Sequence, residues 1–102
     1  METQNKLFTK KIGEVEYTAQ FHGLRTALEA ERIYINERTG RPDKIKLYDY
    51  VLSNVIVSPP GLEIESFEDL DLLDEVAAFG VQVLRNKFRP ENETATKKRS
   101  GK

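Results

Sequence analysis

SFEDLDLLDEVAAFGVQVLRNKF, Ser66 to Phe88, is the stretch whose reading decides the fold. Phe67, Leu70, Leu73, Val76, Ala77, Gly80, Val83, Leu84 and Phe88 recur at steps of three and four, the signature of one apolar stripe on a helix. The spacing therefore predicts a long amphipathic helix over 66–88. Ser66 is the expected N-cap, its hydroxyl accepting from a first-turn amide, with Asp69 completing an imperfect capping box. Acidic residues fill the first half, and Arg85, Lys87 and Arg89 the end, in the order that the helix dipole favours. Pro90 is the expected stop. Leu72, Phe79 and Val81 fall off the main stripe, so the apolar surface is wider than one small layer needs. Either the core is broad, or these side chains meet another copy or an extended partner helix. The reading assigns Phe67, Leu70, Leu73, Val76 and Val83 to the core, and Leu72, Phe79 and Val81 to a partner.

Upstream, Glu14 to Phe21 alternates strictly, which places Val15, Tyr17, Ala19 and Phe21 on one face of a half-buried strand. Leu7 to Ile12 pairs with it through a Gly13-Glu14 hairpin turn. Such a hairpin is marginal alone and must lie on helices. Leu24 to about Glu37 reads as a first helix, with Thr39-Gly40 as its stop. Pro42 or Asp43 to about Asn54 reads as a second, with a stripe of Ile45, Tyr48, Leu52 and Val55. Val55-Ile56-Val57 is either the end of that helix or a buried extended piece. Ser58-Pro59-Pro60-Gly61 breaks the chain. The expected fold is α+β, an N-terminal β-hairpin packed on about three helices, the longest of them C-terminal. Residues 6–89 form one globular domain between a loose N-terminus, 1–5, and a disordered basic tail, 90–102.

Composition narrows the function. The chain has 102 residues, 32% of them charged, yet its net charge is only −1, so no global field draws it to nucleic acid or to an anionic membrane. Cysteine is absent, which removes disulfides, thiolate metal sites and cysteine nucleophiles together. No apolar run approaches the ~20 residues that span a bilayer, and the first residues lack the apolar core of a signal peptide.

No stretch reads as an active site. His22 is the only histidine and has no ligand or triad partner at a recognisable spacing. Neither a Walker loop nor a dinucleotide fingerprint occurs. Glu63, Glu65, Glu68, Asp69, Asp71, Asp74 and Glu75 are uninterrupted by any basic residue. They suit a docking patch for a basic partner, a weak cation site without the glycine and glutamate of a calcium loop, or a solvated helix start. Lys97, Lys98, Arg99 and Lys102 suit phosphate contact or plain solubility, with no aromatic interleaved for base stacking. The reading is of a protein that is not an enzyme and takes no cofactor or metal.

The hairpin strand Tyr17-Thr18-Ala19-Gln20-Phe21, the helix with Leu24, Ala27 and Leu28, and Lys46-Leu47-Tyr48-Asp49-Tyr50 leading to Val55-Ile56-Val57-Ser58-Pro59 resemble the tail assembly chaperones of long-tailed bacteriophages. The acidic connector with Phe67 and the closing helix with Phe79 extend the resemblance over about residues 6–88. It implies a non-enzymatic protein of the host cytoplasm that coats the aggregation-prone tape measure protein before the tail tube polymerises. It also implies a minor product extended by programmed ribosomal frameshifting, which recruits tail-tube protein; Lys97-Lys98 suits a slippery run of adenines. Repeated binding along one partner favours self-association. The alternative is a small phage structural adaptor, a head–tail completion or tail-terminator protein.

Overall fold

The computed structural model of the chain describes residues 6–88, so the expected loose N-terminus and basic tail lie outside the described residues. Two strands, β1 (Lys6–Ile12) and β2 (Val15–Phe21), form the antiparallel hairpin, with Ile12 opposite Val15 across the Gly13-Glu14 turn. Gly13 supplies the positive φ of 64° that this turn requires. Tyr17, Ala19 and Phe21 are buried as the alternation demands, while Val15, beside the turn, is left partly exposed. A third strand, β3 (Ile56–Ser58), settles the segment that the sequence leaves open. It pairs antiparallel with β2, Thr18 opposite Ser58 and Ala19 opposite Ile56, across a register irregularity at Thr18/Ala19. The sheet order is β1-β2-β3, with the most regularly alternating segment in the centre.

Helix α1 (Leu24–Tyr34) stops three residues before Glu37. Ile35 is extended and bridges to Pro42, and the Tyr34 carbonyl accepts from the Asp43 amide. Asn36 Oδ1 accepts from the amides of Arg38 (2.8 Å) and Thr39 (3.3 Å), tying the loop internally. Gly40 therefore turns this loop and does not cap the helix. Helix α2 (Lys44–Tyr50) is N-capped by Asp43, whose carboxylate accepts from the Lys46 amide at 3.2 Å, and it runs on into one π-helical turn, Val51–Val55. The wider turn buries Val51, Leu52 and Val55 together.

The decisive stretch is helical over a shorter span than its periodicity predicts: α3 is Leu70–Leu84. Ser66 is not its N-cap. Its hydroxyl accepts from the Glu63 amide at 3.0 Å, closing a 3₁₀ turn over Ile64–Ser66. Asp69 is the cap, accepting from the Leu72 amide at 2.9 Å. At the other end the helix stops before Pro90 is reached. Asn86 takes the left-handed conformation (φ 60°), the Asn86 amide donates to the Val83 carbonyl, and the Lys87 amide to that of Gln82. These are the paired bonds of a Schellman motif, with asparagine where glycine is commoner.

The motif turns the chain back on itself. Phe88 is buried and meets Phe79 edge-to-face at 5.0 Å and Phe8 of β1 at 5.7 Å. The core thus lies between the inner face of the sheet, the π-turn and α3. Leu73, Val76 and Val83 are in it as expected; Phe67 is half-buried and stacks on Tyr17 at 6.5 Å. Leu70 is not, being 69% exposed at the first position of the helix, clear of the packed layer. Gly80 lets α3 sit directly on Val51: a Cβ there would overlap Val51 Cγ1.

Candidate functional site

The three side chains assigned to a partner separate. Phe79 is 1% exposed and belongs to the core, because the chain beyond the helix doubles back and lays Phe88 over it. Leu72, on the same flank of α3, is half-buried and faces the hairpin turn; its Cδ1 lies 3.8 Å from where a Gly13 Cβ would stand. Val81 is also half-buried against the core. The excess apolar width of α3 is thus a broad core, with the hairpin on one side.

The acidic run carries local structural work. Glu63 closes the capping box of the 3₁₀ turn and Asp69 caps α3. Asp74 accepts from the Tyr48 hydroxyl at 2.7 Å and lies 3.7 Å from Lys44 Nζ, which stands over the Tyr48 ring. This cluster ties α2 to α3. Burial, then the hydrogen bond and the charge of Asp74, push the Tyr48 hydroxyl up to about 12. Among the described residues no three His, Cys, Asp or Glu side chains gather as metal ligands would. His22 sits half-buried at the junction of β2 and α1, and the basic cluster Lys97 to Lys102 lies outside the described residues.

The exposed apolar side chains are elsewhere. Helix α1 buries Ala27, Ala30 and Tyr34, and turns Leu24 (61% exposed), Leu28 (66%) and Ile33 (52%) to solvent. Ile45 on α2 is 66% exposed, although its spacing placed it on the buried stripe of the second helix. Four of the eight exposed large hydrophobics among the described residues sit on this helical pair, Leu24 and Leu28 together on one flank of α1 and Ile33 on another. The signal was in the sequence. Ala27, Ala30 and Tyr34, at i, i+3 and i+7, are a second helical stripe of smaller side chains, which suits close packing.

Two depressions flank that surface. One, of about 180 Å³, is lined by Leu24, Ala27, Leu28, Glu31 and Arg85, with the Arg85 guanidinium 3.0 Å from Glu31 at its rim. The other, of about 280 Å³, lies between Ile33 and the Lys46, Asp49, Tyr50 side of α2. A third groove runs along β3, lined by Leu52, Ile56, Val57 and Leu62, with Glu63 its only ionisable residue. The first and third of these offer apolar contact area with few polar groups, the character of a docking face, whereas the second is walled by Lys46, Asp49, Tyr50, Ser53 and Asn54.

Compared with known proteins, the chain matches no family model, no curated protein and no solved structure. Among the described residues no helix is long and apolar enough to cross a membrane.

Proposed function

We propose that the chain is a non-enzymatic protein-binding module, a phage tail assembly chaperone that covers apolar stripes of the tape measure protein until the tail tube closes around it. The observation that carries the reading is the set of four large apolar side chains left exposed on α1 and α2, Leu24 and Leu28 on one flank of α1, Ile33 on another, and Ile45 on α2. An amphipathic partner helix laid against Ile33 buries apolar area there, while Lys46, Asp49, Tyr50, Ser53 and Asn54 along the neighbouring depression meet its polar flank. The resemblance of residues 6–88 to that chaperone family supplies the identity of the partner. A frameshifted product extended past Lys97-Lys98, carrying a tail-tube-binding segment, belongs to the same proposal. Reading the codons there, and the frame that overlaps them, tests it.

The direct experiment is co-expression with a helical fragment of the tape measure protein. The fragment should stay soluble and co-purify, and Ile33→Asp with Ile45→Asp should abolish both while circular dichroism stays unchanged. A fragment that precipitates as it does alone overturns the proposal. A defined ring formed without any partner would instead favour the structural adaptor.

A further inference from the structure

We draw no further inference here: the strongest candidate, the apolar groove along β3 lined by Leu52, Ile56, Val57 and Leu62, carries nothing because nothing in the structure shows what covers it.

Discussion

At Gly80 a single hydrogen atom sets how closely two elements approach. Val51 is fully buried and β-branched, so its Cγ1 cannot swing aside to admit a methyl group. Gly80→Ala gains about 1 kcal/mol of helix propensity but meets an overpacking cost of about 1–3 kcal/mol. The expected net is destabilisation by about 1 kcal/mol, read as a lower denaturant midpoint. Gly80→Ala combined with Val51→Ala should recover part of the loss relative to Val51→Ala alone, because the added methyl then fills space. A variant with Gly80→Ala alone that is more stable than the parent would show that α3 moves off the π-turn freely. Phe79 teaches a complementary lesson. Its position off the main stripe suggested a surface, yet a residue nine further on, Phe88, buries it. Periodicity along one helix carries no information about a chain that returns over its flank.

The elements themselves were largely legible, and their ends were not. The alternation from Glu14 to Phe21 and the Gly13 turn predicted β1 and β2 nearly to the residue, because a period of two and a positive φ leave few other conformations. Helix α3 was placed correctly but drawn too long at both ends. Ser66, read as its N-cap, closes a 3₁₀ turn instead, and Asp69, three residues on and read only as the capping-box partner, caps the helix. Sequence spacing alone cannot rank them; the carbonyls and amides around them do. The two caps should therefore differ in worth. Asp69→Ala should cost about 1 kcal/mol in denaturant unfolding, since it orphans an amide of the longest helix and removes a charge favoured by its dipole. Ser66→Ala should cost only about half as much, because one short turn depends on it. Equal losses would return Ser66 to the role that periodicity gave it. At the other end, the Asn86 turn was hidden behind the louder stop signal of Pro90.

For the molecule as a whole, the sequence carried the α+β layering because two periods, 2 and 3.6, divide the chain cleanly. The third strand escaped assignment, as three residues show no period of their own and owe their conformation to pairing with β2. The apolar surface was sought on α3 because that helix has the longest stripe, whereas α1 turns two alanines and a tyrosine inward and its leucines out. Global packing also decides how the molecule meets alkali. All four tyrosines, Tyr17, Tyr34, Tyr48 and Tyr50, have hydroxyls shifted up from the usual value, in each case chiefly by burial. A group whose folded value is raised lends stability that is complete below its unfolded value, near 10, and lost as pH climbs through the folded one. Stability should therefore hold up to about pH 10 and fall from there toward about 12, where Tyr48 titrates in the fold. Tyr48→Phe removes one of the titrating hydroxyls together with its bond to Asp74. It should lower stability at pH 8 by about 1 kcal/mol and make the alkaline fall shallower. Denaturant midpoints followed from pH 8 to 11.5 for both chains measure the two slopes. Parallel curves would mean that Tyr48 ionises in the fold as readily as in the unfolded chain, and that the Tyr48–Asp74 bond does not hold α2 to α3 in solution.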